Sequence, residues 1–281
     1  MPFDDNPLPP SPPVNEPGDV VSAPGAGERP APQDVRVPWS WLDLLLLAVL
    51  GLCLSLLISI LLVWAFGKFG ITRAQIRQSP GMFAAIQQAL LFLLLLGYLV
   101  AQIRVGFGAP FWRTIGWRGL EPGLVPRAAR YLGFVLLGFF LAILVEAMSI
   151  QFGTRAKLPV QVLFQERRSA LLILLMSVLG APVFEETVFR GYIYPVVARS
   201  FGVTLGVLGT GILFGLMHAP QLWGGWVQIS MLVLVGIVLT YVRAVTRTVL
   251  PGFLIHISYN AFISFAVVIV THGLRLLSPH H

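Results

Sequence analysis

Residues 42–66 read LDLLLLAVLGLCLSLLISILLVWAF, a run of 25 residues with one charged side chain, Asp43. An α-helix rises about 1.5 Å per residue, so about 20 apolar residues are enough to cross the roughly 30 Å of hydrocarbon in a bilayer. No water is present at that depth to satisfy free backbone N–H and C=O groups, which excludes an isolated strand. The run therefore predicts a transmembrane helix.

Six similar stretches follow this first one along the chain. They cover residues 81–103, 131–152, 169 into the 190s, 203–219, 222–242 and 248–271. The composition agrees, because 56% of the 281 residues are hydrophobic and only 11% are charged, about half the charged share of a soluble domain. We predict an all-α, polytopic integral membrane helix bundle of about seven to eight transmembrane helices. A water-soluble globule is excluded.

Residues 1–38 have a different composition from the rest of the chain. They hold 11 of the 21 prolines and six of the 12 acidic residues. Frequent proline and low hydrophobicity leave too little apolar surface to offset the entropy lost on ordering. We predict a disordered Pro-rich tail at residues 1–38 and a transmembrane helical domain at residues 39–281, in which residues 169–271 carry the chemistry.

The charge beyond the tail is strongly basic, with 17 Lys and Arg against six acids. Basic residues in short loops between apolar runs are typical of loops beside a membrane, so the lipid bilayer is a predicted partner and nucleic acid is not. The loop 104–130 holds five arginines, which favours a cytoplasmic N-terminus. The seven tryptophans lie near span ends or in loops and are predicted interfacial anchors. Cys53, the single cysteine, is predicted to be a buried thiol.

Glu185 and Glu186 follow a long uncharged stretch, and an ionisable group within the bilayer is a functional hypothesis. Arg190 comes four residues after Glu186, which places the two about 40° apart on a helix surface. Arg190 should therefore neutralise Glu186 and leave Glu185 as an unpaired carboxylate. Such a glutamate can accept a proton from water. The alternative is a solvated helix end.

His218 lies within a later apolar run. The midpoint between Glu185 and His218 falls at 201–202, and Phe201-Gly202 predicts a reversal between two antiparallel helices. Both side chains are then about 25 Å from the turn and meet at one depth. Gly211 and Gly215 share a face with His218 and allow close approach, which should bring the histidine toward the glutamate helix. The alternative is a hydrogen-bonded packing histidine.

His256 and Asn260 are four residues apart in the last run and therefore share a helix face. A mutual hydrogen bond is one interpretation. Two donors on one face are also what stabilises the oxyanion that forms when water attacks a carbonyl. With Glu185 and His218, the pair indicates a hydrolytic site.

These residues resemble the CAAX-processing and bacteriocin-processing (CPBP) family of intramembrane endopeptidases, which includes the type II CAAX prenyl proteases and the Abi proteins. Glu185-Glu186-xxx-Arg190 is similar to the double-glutamate motif of that family, Phe214-xxx-His218 to its Phe/His motif and His256-xxx-Asn260 to its His/Asn motif. The three motifs occur in family order over roughly the second half of the chain. The first three spans resemble the family only as hydrophobic helices.

The resemblance implies a water-filled cavity inside a helix bundle. Its implied catalytic residues are Glu185 and His218, which would activate water, and His256 and Asn260, which would stabilise the oxyanion. Its supporting residues are Glu186, Arg190 and Phe214. A second family model is a metallo-centre, in which Glu185, His218 and His256 would form the His₂Glu set of a catalytic zinc with one open position. No His-Glu-x-x-His helix supports the pattern of soluble zinc proteases.

We therefore predict a membrane-embedded CAAX-type endopeptidase that cleaves a membrane-associated peptide or protein, located in the plasma membrane of a prokaryote. One alternative is a noncatalytic membrane scaffold or bacteriocin self-immunity factor. Another is a proton-coupled transporter with Glu185 and His218 as a proton relay. A transporter favours paired broken helices in two related halves, which the sequence does not show.

Overall fold

The computed structural model describes residues 35–153 and 158–274. Every regular element within these residues is helical, which confirms the all-α prediction. The predicted disorder of the tail falls mainly on residues 1–34, which lie outside the described residues. Residues 35–38 join the folded part of the chain, because the side chains of Val35 and Val37 are buried.

The helices alternate between long spans and short segments. In chain order they are α1 (Trp41–Lys68), α2 (Arg73–Gln78), α3 (Pro80–Ala101), α4 (Phe111–Ile115), α5 (Arg127–Phe152), α6 (Arg167–Leu175), α7 (Ala181–Glu185), α8 (Tyr194–Met217), α9 (Trp226–Thr246) and α10 (Leu250–Val270). Three π-helices continue α3, α6 and α7, namely Gln102–Gly106, Met176–Gly180 and Glu186–Ile193. A 3-10 helix, Pro159–Phe164, precedes α6.

Six helical stretches of the described chain are long and apolar enough to cross a membrane. Five match single predicted runs, and the sixth, Arg167–Met217, is 51 residues long and contains two of them. At Gly202 the backbone leaves helical geometry, with φ 84° and ψ 164°, a region open essentially to glycine.

The chain doubles back at Gly202. A Cβ added at Gly206 would lie 2.7 Å from the Cβ of Ala198, whereas residues eight apart on a straight helix are separated by about 12 Å. The predicted reversal at Phe201-Gly202 is confirmed.

The returning half of α8 packs closely against α9. A Cβ at Gly211 would lie 2.5 Å from the backbone nitrogen of Ile237, and one at Gly215 would lie 2.6 Å from that of Val233. The two glycines therefore allow the close approach between helices that the sequence predicts. Their partner is α9 and not the glutamate helix, which corrects the expected role of this face.

The segment before α1 is anchored in the core. Trp39 is fully buried, its ring stacks on Tyr192 at 4.8 Å, and its Nε1 donates to the Tyr192 carbonyl at 2.9 Å. The interfacial prediction is therefore wrong for Trp39. Five other tryptophans are exposed: Trp41, Trp64, Trp112, Trp223 and Trp226. Cys53 is also exposed, because its face of α1 lies at the periphery of the bundle, so the predicted buried thiol is wrong.

Candidate active site

The double-glutamate motif lies where α7 passes into the π-helix Glu186–Ile193. π-Helical turns are rare and are frequent at functional sites. Almost the whole π-helix is buried: Glu186 and Arg190 are 0% exposed, whereas the side chain of Glu185 is 15% exposed. The two neighbouring glutamates therefore have different environments.

Arg190 neutralises Glu186, as the sequence predicts. Its Nη1 donates to Oε1 of Glu186 at 3.0 Å, and its Nη2 donates to the carbonyl of Gly236 on α9 at 3.0 Å. The guanidinium also lies 4.4 Å from the centre of the Phe214 ring, a distance typical of a cation–π contact. The supporting residues Glu186, Arg190 and Phe214 are therefore in direct contact.

His256 reaches this cluster from α10. Its Nδ1 lies 3.0 Å from Oε1 of Glu186, and its Nε2 lies 3.7 Å from Oε2 of Glu185. Glu186 thus contacts the Nδ1 side of the His256 ring, and the Nε2 side faces Glu185. Carboxylates that bind the far nitrogen of a histidine fix its tautomer and its orientation in many enzymes.

Gly252 allows α10 to come this close. A Cβ at this position would lie 2.8 Å from Oε2 of Glu186. That oxygen has no hydrogen-bond partner among the described residues, and neither does Nε of Arg190. Buried polar atoms are usually satisfied by protein or ordered water.

His218 lies at the end of α8, and its pairing with Glu185 stays a prediction. It forms the C-cap of α8, where its Nδ1 lies 2.9 Å from the Phe214 carbonyl. Its ring centre is 5.0 Å from that of Phe214, which in turn is 5.7 Å from that of His256. The Phe214 ring thus packs near both histidines. Among the described residues, the histidine that contacts the Glu185 carboxylate is His256.

Asn260 lies one turn beyond His256 on α10, but its bond goes elsewhere. Its Nδ2 donates to the Ser177 carbonyl at 2.6 Å, and the mutual hydrogen bond with His256 is not formed. The Ser177 carbonyl is available because the wide π-helical turn pairs the Ala181 N–H with Met176. The next N–H in the ladder would belong to Pro182, which has none.

The predicted zinc ligands do not form a ready ligand set. Among the described residues, no group of three or more His, Cys, Asp or Glu is placed to hold a metal ion. Both ring nitrogens of His256 face carboxylates, and Nδ1 of His218 lies against the Phe214 carbonyl. Glu185, His218 and His256 therefore do not fit a shared metal in this arrangement, and zinc binding stays a prediction.

Two site residues were missed by the sequence reasoning. Ser177 contributes a backbone carbonyl, which its residue type does not signal. Gly252 contributes the absence of a side chain. The one usable signal is Pro182 inside an apolar run, because a proline there breaks the helical hydrogen-bond ladder and leaves a carbonyl unpaired.

A family model matches the segment of the chain that holds this site. Residues 167–262 match the family model described as type II CAAX prenyl endopeptidase Rce1-like. The match covers about a third of the 281 residues and contains all the motif residues from Glu185 to Asn260. The predicted resemblance is confirmed over this segment. No curated protein and no solved structure gives a significant match.

Proposed function

From the premise that residues 167–262 form an Rce1-like segment, we propose that the chain is an intramembrane endopeptidase of the type II CAAX kind. The family match supports a membrane protease, and six apolar helices support an integral multi-pass protein. The observation that carries the finer proposal is the His256 ring held between the partly exposed Glu185 and the buried Glu186. We also propose the plasma membrane of a prokaryote as its location.

Glu185 is the general base in the proposed reaction. A water molecule beside its carboxylate gives a proton to Glu185 while the water oxygen bonds to the peptide carbonyl carbon. The carbonyl oxygen becomes an oxyanion. The intermediate then collapses, the carbon–nitrogen bond breaks, and the proton moves from Glu185 to the departing amine.

His256 stabilises the oxyanion in this scheme. In this scheme His256 carries a proton on both ring nitrogens. Nδ1 donates to Glu186, and the Nε2 proton points to the side of the ring that Glu185 shares. A donor preorganised in a dry site is worth about 10²–10³ in rate. Asn260 keeps a second amide N–H beyond the one donated to Ser177, and this group is the proposed second donor.

His218 has a peripheral place in the mechanism. Its Nδ1 lies against the Phe214 carbonyl, so its Nε2 is the atom available to water or substrate. We assign it to binding the water or the departing amine. No step passes through a metal ion.

The proposal is tested with purified protein in lipid nanodiscs and two membrane-anchored peptides. One peptide carries a farnesylated C-terminal CAAX sequence, and the other has the same sequence held by a palmitoyl chain. Mass spectrometry identifies the products. The Glu185→Gln variant should lower the hydrolysis rate by about 10²–10⁴, the usual worth of a general base.

The matched control is Glu146→Gln, the same change on α5 at an exposed glutamate outside the cluster. It should keep the wild-type rate. Equal products from the wild type and Glu185→Gln would refute the protease proposal. Glu185-dependent proton movement with a solute across vesicles, without hydrolysis, would favour a transporter. If neither hydrolysis nor transport is detected, the result would favour a scaffold or an immunity factor.

A further inference from the structure

A polar cavity lies at the end of the bundle where α1 and α10 begin and α9 ends. Its volume is about 360 Å³, within the range of about 300–1,000 Å³ of small-molecule sites. Four arginines line it, Arg36, Arg113, Arg118 and Arg243, and its other lining residues are uncharged. The proposed active site contributes no residue to this lining.

The arginines are brought together by the fold and not by the sequence. Arg36 precedes α1, Arg113 lies on α4, Arg118 follows α4, and Arg243 lies on α9. Arg36, Arg113 and Arg118 are exposed, whereas Arg243 is buried. Arg118 is held in place because its Nη2 donates to the Arg247 carbonyl at 3.2 Å.

Clustered guanidinium groups around a concave space favour an anion. Like charges near a protein surface repel one another, and a bound anion removes that repulsion. The planar guanidinium also offers a fork of N–H donors that matches phosphate. The residues that line this cavity therefore fit a phosphate group better than a neutral ligand.

Exposed tryptophans place the cavity at a particular depth. Trp112 is next to Arg113 in the chain, and Trp41 lies five residues after Arg36; the two rings are 51% and 47% exposed. Exposed tryptophans at the ends of membrane helices lie at the level of the lipid headgroups. Basic pockets between helix ends at this depth are typical binding places for acidic lipid headgroups.

We propose that this cavity binds the phosphate of an acidic phospholipid. Arg36 and Arg113 contact the phosphate, Arg118 closes the site, and the acyl chains extend along the apolar helices. The same phosphate chemistry would accept inorganic phosphate from solution. The experiment therefore distinguishes the two sources.

The test measures the thermal unfolding midpoint of the full chain in mild detergent. Phosphatidylglycerol, phosphatidylcholine and inorganic phosphate are titrated separately. A ligand that binds only the folded state raises the midpoint with concentration. Phosphatidylglycerol should raise it by several degrees and phosphatidylcholine should not. A rise with inorganic phosphate alone would keep the phosphate site but assign it to a soluble anion.

The test variant is Arg36→Gln/Arg113→Gln, and the matched control is Arg104→Gln/Arg127→Gln. The control removes two exposed arginines from the same end of the bundle, outside the cavity. Each midpoint is compared with that of the same variant without lipid. The test variant should lose the shift and the control should keep it. Equal shifts in both, equal losses in both, or no shift in the wild type would overturn the proposal.

A second measurement does not depend on variants that fold. Phenylglyoxal modifies accessible arginines of the wild-type protein, and mass spectrometry locates the modified residues. Phosphatidylglycerol should slow the modification of Arg36 and Arg113 but not that of Arg104 and Arg127. Equal protection of all four would overturn the proposal, because it would show a charged surface and not a site.

Discussion

Glu186 organises the site at the scale of single residues. One of its oxygens accepts from both Arg190 and His256 at 3.0 Å, so this glutamate is already engaged. Its neighbour Glu185 lies at the longer distance of 3.7 Å from Nε2 of His256. Two adjacent glutamates thus have different roles. Glu186 binds protein groups, whereas Glu185 is available to bind water.

This geometry predicts which histidine matters more for the rate. His256→Gln removes the ring between the glutamates and should lower kcat by about 10²–10³, the worth of an oxyanion donor. His218→Gln should cause a smaller loss, because Nδ1 of His218 is bonded to the Phe214 carbonyl, whereas His256 contacts both glutamates. Initial rates on the farnesylated peptide measure both. A larger loss in His218→Gln would favour the pairing of Glu185 with His218.

The buried ion pair predicts a stability effect. Arg190→Met leaves the carboxylate of Glu186 buried without its cation, which should cost about 3–5 kcal/mol. The double variant Glu186→Gln/Arg190→Met removes both charges and should recover part of this loss. Reversible unfolding in mixed detergent micelles measures the free energies. No recovery in the double variant would show that the cost comes from packing and not from the charge.

At the scale of elements, interruptions of helical geometry build the site. The π-helices bracket α7, and Pro182 leaves the Ser177 carbonyl free for Asn260 on α10. Gly252 lets α10 approach the π-helix Glu186–Ile193. The helices that carry the motifs thus contact one another at π-helical turns and at a glycine that has no side chain.

The contact between α8 and α9 predicts a difference between two glycines. Gly215→Ala would place a Cβ 2.6 Å from the backbone nitrogen of Val233 and should destabilise the protein by about 1–3 kcal/mol. Gly209→Ala, on the same helix, would meet its nearest atom at an ordinary 3.7 Å. This control should be neutral or stabilising by up to about 1 kcal/mol. Thermal unfolding measures both, and equal effects would contradict the packing.

At the scale of the whole molecule, the apolar surface of the bundle matches a bilayer. α1 exposes large side chains along its length, among them Leu42, Leu52 and Trp64. Such a surface would aggregate in water. It is explained by lipid around the helix, and the six spans support that environment.

Cys53 offers a direct test of this placement. It lies 12 residues after Trp41, about 18 Å along the helix, and faces outward. In a bilayer its thiol should react slowly with a charged maleimide, because the reactive thiolate needs water. The control variant Cys53→Ala/Arg73→Cys places the thiol on α2 and should react fast. Equal rates would show that this part of α1 is not within the hydrocarbon.

Local properties of the sequence determined the helical class, the spans, the reversal at Gly202 and the pairing of Glu186 with Arg190. Each depends on residues a few positions apart or on the length of an apolar run. Such a run must be helical in lipid, because its backbone polar groups find no water there. These features could therefore be predicted before any helix was packed against another.

Only the tertiary structure decided that His256 lies beside Glu185, that Asn260 binds Ser177, and that α8 packs on α9. These contacts join residues far apart in the chain. Lipid surrounds every apolar face equally, so hydrophobicity does not select which faces meet. The selection comes from the shapes of the packed helices, set by their glycines and π-helical turns, and a linear pattern does not contain those shapes.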